Sequence, residues 1–497
     1  MRPEDSQQEP VADPGVERSI PRQGGVFRKL VLYGFSRTVA QGLVSAKGIL
    51  LASLLGPERF GVWALFRLAM LYGSFGALGV FRGLELEVAQ SKSPGGSALD
   101  GTRKAACGTA LSLTLAISGA VGLVSLVASF LVDNLDLITV LRVFGCGLFL
   151  ESLVVYAMTY LRAAGELRAY AFAEVGLALA HLALAVVLAL RWGLGGAFLG
   201  YLLATLLVLP FFVRRVPFHP GFSIAESRRL VQVGFPVAMT SILGFAMTGV
   251  DRLVVGAYAG MEALGYYAFA VSISGLTASL AWVIRTVVLP DVYASVRNEG
   301  TSSALRDHLE RTILPFSRIY PVLVGVLAIA VGPAVSLVLP QYLEAVPAAR
   351  VVIFAGVTAG YVSLGSLGVV AAGKQRVLPY LSLLLLLMNA LVSYLALRLE
   401  FGILGVAVGT LICRMLFGIS ILSVNVKSAA LEGAGRIAFG VSIPLLWCAA
   451  VVFSLDRWLG GLDFRSAAVS LLVFLLAVSP LLPAALAGLL RGNTRHG

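Results

Sequence analysis

Arginine, lysine and carboxylate side chains standing inside long apolar runs are the residues of this chain that could do chemistry. They are Arg37, Lys47, Arg67, Glu151, Glu174, Asp251, Arg252, Arg285, Arg318 and Arg414, with His181 beside them. An ionisable group in hydrocarbon is costly and normally faces a partner or a water-filled path. Arg67, Arg252 and Arg285 could together form a cationic cavity. A guanidinium donates two parallel bonds to phosphate oxygens, so such a cavity suits a polyanion better than lysines would. Each could instead bond backbone carbonyls or a carboxylate, and Arg252 could simply pair with Asp251. Glu151 sits near the middle of its run, where it could bind a coupling proton or cation or neutralise a cavity arginine. Glu174, a second coupling candidate, stands seven residues before His181 and so on the same helix face. His181 reads as a hydrogen-bonded interior group. Arg37, Arg318 and Arg414 lie near run ends or glycine-rich stretches, where snorkelling or helix contacts suffice. No nucleophile–base pair, glycine-rich phosphate loop or metal-ligand spacing stands out, so the expectation is a protein that is not an enzyme and uses no cofactor or metal.

The elements that position these groups must be membrane helices. The chain has 58% hydrophobic and 13% charged residues and a mean hydropathy of +0.90, against roughly 25% charged residues in soluble domains. Open sheets cannot cross lipid, and the apolar runs lack the alternation of a barrel. The expected fold is therefore all-α and polytopic, with about fourteen spans. Their cores are placed at 31–55, 60–81, 105–131, 138–161, 169–190, 194–213, 231–257, 264–290, 312–332, 349–372, 378–397, 402–424, 436–455 and 466–490. Residues 1–27 are polar, lack the apolar segment of a signal peptide and read as a disordered cytoplasmic tail. The net charge of +12 reflects basic residues in short loops between spans rather than nucleic-acid binding. With the N-terminus inside, those cations favour one side by about three to one, which places both termini and the loops at 82–104, 214–229 and 291–311 in the cytoplasm. The outer set includes Arg350. The four cysteines, all in apolar runs, read as packing residues.

The chain also repeats itself. The segment Leu161–Arg168, with Gly165, returns as Val369–Arg376, with Gly373, and Gly193–Gly200 returns as Gly402–Gly409. Earlier, Pro57–Ala64 is matched by Met261–Ala268, and Gly34–Phe35 by Gly234–Phe235. Spans 1–6 thus map onto spans 7–12, giving lobes at 28–215 and 228–427 and an unduplicated pair of spans at 436–490. Such duplication in a membrane protein is transporter architecture, with two lobes around a central path. Under the offset of 204 fixed by Glu58 and Glu262, Lys47 maps onto Asp251. The lobes thus carry opposite charges at equivalent positions, either as a cavity site or gate ion pair or as a structural pair joining the lobes. A buried pair by itself adds little net stability.

These motifs together resemble the Wzx-type polysaccharide flippases, the polysaccharide-transporter branch of the multidrug/oligosaccharidyl-lipid/polysaccharide exporter superfamily. The resemblance rests on Leu54–Ala64 in the first half and, in the second, on Asp251-Arg252, Gly256 and Ala263–Ala268. Val288–Pro290, Ala372–Lys374 and Phe401–Ala407 add to it. It implies alternating-access transport of a polyprenyl-pyrophosphate-linked oligosaccharide across the cytoplasmic membrane of a prokaryote, for surface polysaccharide synthesis. It also implies a cavity lined by spans 1 and 7, a groove for the lipid tail at spans 13 and 14, and a glycan polymerase and export machinery as partners. Three other readings are a cation-coupled drug exporter of the same fold, a membrane glycan polymerase or acyltransferase, and a non-transporting scaffold. Drug exporters of cationic cargo need acidic cavities, and an enzyme needs catalytic groups that the sequence does not display.

Overall fold

The computed structural model describes residues 23–74, 79–90, 97–481 and 483, and among them there is no strand. The first repeat holds α1 (Gln23–Gly73), α2 (Val80–Gln90), α3 (Ser97–Ala128), α4 (Leu135–Ala163) and α5 (Leu167–Val213). The second holds α6 (Ile224–Met247), α7 (Val250–Tyr258), α8 (Gly260–Glu299), α9 (Thr301–His308), α10 (Leu314–Val338), α11 (Val346–Ala371), α12 (Val377–Arg398) and α13 (Gly402–Ser428). The unduplicated α14 (Ala434–Leu459) and α15 (Phe464–Val478) follow. Most of the expected tail lies outside the described residues, and its last five positions already belong to α1. The last expected span, to 490, lies partly outside them.

Among the described residues, ten helices are long and apolar enough to cross a membrane. The expected fourteen spans are reached only by counting two arms each for α1 and α5 and adding α6–α7 and α15. The doubled helices follow from length and local geometry. α1 has 51 residues, about 76 Å if straight, against about 30 Å of hydrocarbon. It breaks at Gly56, with φ 74° and ψ 171°, just before Pro57. The break folds the chain back, because the Lys47 Nζ reaches 6.0 Å from the Trp63 ring centroid. α5 breaks at Trp192-Gly193, and its arms pack so closely that a Cβ on Gly196 would lie 2.0 Å from the Leu188 carbonyl oxygen and one on Gly200 2.4 Å from that of Leu184.

The duplication is visible in the backbone. Gly56 and Gly260 have φ 74° and 87°, Gly165 and Gly373 have 69° and 72°, and Gly193 and Gly402 have 56° and 58°. Left-handed φ is cheap only for glycine, so each pair marks the same turn twice. The hairpin register repeats as well: Gly405 meets the Ala396 side chain and Gly409 meets Val392, where Gly196 and Gly200 meet Leu188 and Leu184. Gly34 and Gly234 do not share an environment. Gly34 has nothing within 4 Å of an added Cβ, whereas on Gly234 one would lie 2.0 Å from the Gly79 carbonyl oxygen.

The repeats meet along α1 and α8. At the Gly56/Gly260 end the contact is reciprocal: a Cβ on Gly61 would sit 1.8 Å from the Met261 carbonyl oxygen, and one on Gly265 would sit 1.8 Å from that of Pro57. Pro57 and Met261, like Gly61 and Gly265, are repeat equivalents, so this is a self-complementary two-fold contact inside one chain. Small residues let membrane helices approach at backbone distance. The α14–α15 pair docks on α10 and α13. Arg350, expected in an outer loop, is instead buried. It donates to the carbonyls of Ala328 (3.3 Å) and Gly461 (2.8 Å) and pairs with Asp456, pinning the α14–α15 turn to α10 and α11.

Replacing Gly61 or Gly265 by leucine should force the repeats apart and destabilise the protein by at least about 1–3 kcal/mol, the usual cost of overpacking. Gly42→Ala, where nothing lies within 4 Å, should be neutral. Denaturation in detergent checks both, and an unchanged Gly61→Leu variant would contradict the reciprocal contact.

Candidate functional site

Two polar nodes lie in the interior, one in each repeat. In the first, Lys47 is buried on α1 with its ammonium facing Trp63. Arg67 on the second arm of α1 lies over the Tyr201 ring, 5.0 Å from its centroid. Tyr201, on the second arm of α5, donates its hydroxyl to Glu151 of α4. The same tyrosine ring stacks on His181 at 4.5 Å, and His181 Nε2 shares a 3.0 Å hydrogen bond with Thr205. Tyr201 is thus the hub through which Arg67, Glu151 and His181 are held. The Nη1 of Arg67 is buried with no hydrogen-bond partner among the described residues.

In the second node, Asp251 is fully buried at the start of α7, where the path of α6 breaks at Thr248-Gly249. Its Oδ2 accepts from Tyr267 (2.9 Å) and Thr410 (3.4 Å), and its Oδ1 accepts from the Arg252 backbone N–H (2.9 Å). The Thr410 hydroxyl, with its one proton on Asp251, also lies 3.3 Å from the Tyr267 hydroxyl and 3.2 Å from the Asn389 side-chain amide. Arg414 Nη2 is 4.0 Å from the carboxylate.

The nodes correspond position by position. Under the offset of 204, Lys47 and Trp63 fall on Asp251 and Tyr267. Under the offset of 208 read from Gly165 and Gly373, His181 falls on Asn389. Under the offset of 209 read from Gly193 and Gly402, Tyr201 and Thr205 fall on Thr410 and Arg414. The same five backbone sites carry a cation-centred cluster in one repeat and a carboxylate-centred cluster in the other.

Several expected groupings do not assemble. Among the described residues no ion pair joins Lys47 to Asp251; each is engaged within its own repeat. Arg252 does not use its guanidinium on Asp251 but donates it to the Thr248 carbonyl at 2.8 Å. Arg285 lies eighteen residues beyond Tyr267 on α8, about 27 Å along the axis, while Arg67 lies one turn beyond Trp63, so the structure does not bring the two arginines to one level. Glu174 is committed to α1: it pairs with Arg37 at 3.0 Å and accepts from Ser36 and Tyr170. Arg414, assigned to packing, joins the second node. Tyr201, Thr410 and Asn389 carry no sequence signal of their own, although the repeat offsets connect Tyr201 with Thr410, and Tyr267 is marked only as part of the Met261–Ala268 repeat. The described residues include no group of three or more metal-ligating His, Cys, Asp or Glu side chains.

The fold and its paired nodes define an all-helical, multi-pass membrane protein built from two repeats. Residues 50–347 match the family described as polysaccharide biosynthesis protein, and the chain belongs to that family. The fold is similar to that of lipid II flippase MurJ in an inward closed conformation, at TM-score 0.67 and 14% identity, covering 91% of this chain and 98% of that one. It is also similar to an inward-facing multidrug resistance MATE family transporter of the MOP superfamily, at TM-score 0.61 and 16% identity, covering 80% of this chain and 99% of that one. No curated protein sequence matches it.

Tyr267→Phe removes a hydrogen bond to a buried carboxylate and should destabilise the protein by about 1.5–3 kcal/mol, with Asp251→Ala costing more. The Asp251→Ala and Arg414→Leu effects should be non-additive, because the groups share a network. A double-mutant cycle by denaturation in detergent measures this, and strict additivity would remove Arg414 from the node.

Proposed function

We propose that the protein flips a polyprenyl-pyrophosphate-linked oligosaccharide from the inner to the outer leaflet of a prokaryotic cytoplasmic membrane, by alternating movement of its two repeats. Membership in the polysaccharide biosynthesis family supports the pathway, and the likeness of fold to a lipid II flippase supports the mode. The observation that carries the reading is Arg67. A buried guanidinium N–H without an acceptor costs more than the roughly 1–3 kcal/mol of a neutral orphan. Its planar group is oriented by Tyr201 and lies in the same repeat as buried Lys47. Such a site fits an anionic headgroup: a pyrophosphate oxygen would supply the missing acceptor while the lipid tail stays in the bilayer.

Glu151 serves as the internal counter-charge of this node and remains the candidate for proton or cation coupling, whereas the Arg37 partnership gives Glu174 a structural role. Lys47 and Asp251 act as matched centres of the two repeats, and their direct pairing would need a conformation in which the nodes converge. Arg285 and Arg252 serve the path away from the first node. The excess of basic residues in one set of loops supports cytoplasmic termini, and a glycan polymerase and export machinery would receive the flipped product. A drug exporter of the same fold is the second reading; two cations, Lys47 and Arg67, against the single carboxylate of Glu151 disfavour cationic cargo.

Arg67→Ala should lower surface polysaccharide display by at least about ten-fold, a loss of one well-placed charged bond, at unchanged protein level in the membrane. Arg67→Lys should restore little, because an ammonium lacks the planar fork. Normal display in Arg67→Ala cells, or a drug-sensitivity phenotype without a display defect, would overturn the proposal.

A further inference from the structure

A second inter-repeat contact lies at the opposite end from Gly61 and Gly265. There α2, of the first repeat, packs on the opening turns of α6, of the second. The contact has two layers. The inner one is backbone: a Cβ on Gly83 would sit 2.4 Å from the Leu230 carbonyl oxygen, and one on Gly234 would sit 2.0 Å from that of Gly79. Leu230 is buried there, as are Val80, Leu84 and Val88 along α2. The outer layer is ionic: Glu87 of α2 pairs with Arg229 of α6 at 2.8 Å, and Arg229 reaches Glu226 at 3.7 Å. A cleft lined by Gly83, Leu86, Glu87, Arg229, Leu230 and Val233 runs between them.

α2 is meanwhile held to its own repeat by a different residue. Glu85, two positions before Glu87, accepts from Arg162 of α4 at 2.9 and 3.2 Å and from Arg82 at 2.8 Å. Thus the acidic residues of one short helix face two ways. Glu85 ties it to α4 through the two bonds from Arg162, and Glu87 reaches across to α6 through Arg229. The second tie is the weaker, because Arg229 is about half exposed and exposed ion pairs are soft. Further along, α6 packs on α12, within its own repeat.

We infer that α2 is a latch: anchored to the first repeat by Glu85, it closes the loop-rich end of the transport path by clasping α6 through Gly79, Gly83 and Glu87, and it releases at that clasp when the path opens there. This rests on the alternating-access reading, and the orientation of the loops makes that end the cytoplasmic one.

The test uses the full chain in liposomes, with its four cysteines replaced. Spin labels at Leu86→Cys and Val233→Cys should report two separations in the uncrosslinked protein. Glu87→Gln, which keeps the shape and removes the charge, should shift the population toward the longer one by about two- to five-fold, as loss of an exposed ion pair allows. Bridging Glu87→Cys to Arg229→Cys with a short, reducible dithiol linker should cut lipid-linked oligosaccharide transport by about ten-fold or more, with recovery on reduction. A single separation under all conditions, or full transport with the linker in place, would make the contact permanent packing and overturn the latch. Two separations in a parent protein that moves no oligosaccharide would leave the latch standing and refute the cargo instead.

Discussion

The reciprocal backbone contact at Gly61 and Gly265 is the constraint on which the arrangement depends. Lipid gives helices no hydrophobic reason to associate, so packing distance must supply the attraction. A glycine facing a carbonyl brings two helix axes as near as they can come. Because Gly61 meets Met261 and Gly265 meets Pro57, neither helix can slide without breaking both contacts. The register between repeats is fixed there. Trp63 and Tyr267, two positions beyond these glycines, then point each repeat's node inward at matching heights.

From that register the charges follow. Lys47 and Asp251 are both buried, and each would be prohibitively costly in hydrocarbon without company. The chain solves the two cases with the same scaffold and different side chains. Asp251 receives hydroxyl and backbone donors from Tyr267, Thr410 and Arg252. The cations of the first node receive an aromatic face each, Trp63 for Lys47 and Tyr201 for Arg67, and ring faces attract cations without consuming their hydrogen-bond donors.

The glycine punctuation was legible because backbone conformation is local. Gly165, Gly193 and Gly56 announce their turns in sequence, and their partners 204 to 209 residues on announce the same turns. Apolar runs likewise made the helices legible, and their interruptions at 55–60 and 190–194 mark where α1 and α5 fold back on themselves. The node partners were not legible. Tyr201, Thr410 and Asn389 in apolar runs look like ordinary interior packing, and only the fold reveals which charge each one serves. Charge alone also failed to sort levels: Arg67 and Arg285 look alike in sequence but stand at different depths. Glu174 finds Arg37 from 137 residues away, and Arg350 leaves an expected outer loop for the interior because Asp456 and the Gly461 carbonyl supply what water would have.

Three guanidinium nitrogens are left over around the two nodes. Asp251 and Glu151 have hydrogen-bond donors, whereas Arg67 Nη1, Arg252 Nε and Arg414 Nε are buried without partners among the described residues. All three are donors. Buried polar groups are rarely left unmet, and those that are point to water, an ion or a ligand. A surplus of donors asks for acceptors, and a cation could not satisfy it. Water could supply acceptors singly, but a multiply charged anion supplies several at once and offsets the guanidinium charge as well. Duplication alone would have produced two equal nodes. Divergence at the Lys47/Asp251 position instead left one centred on its own carboxylate and the other on cations.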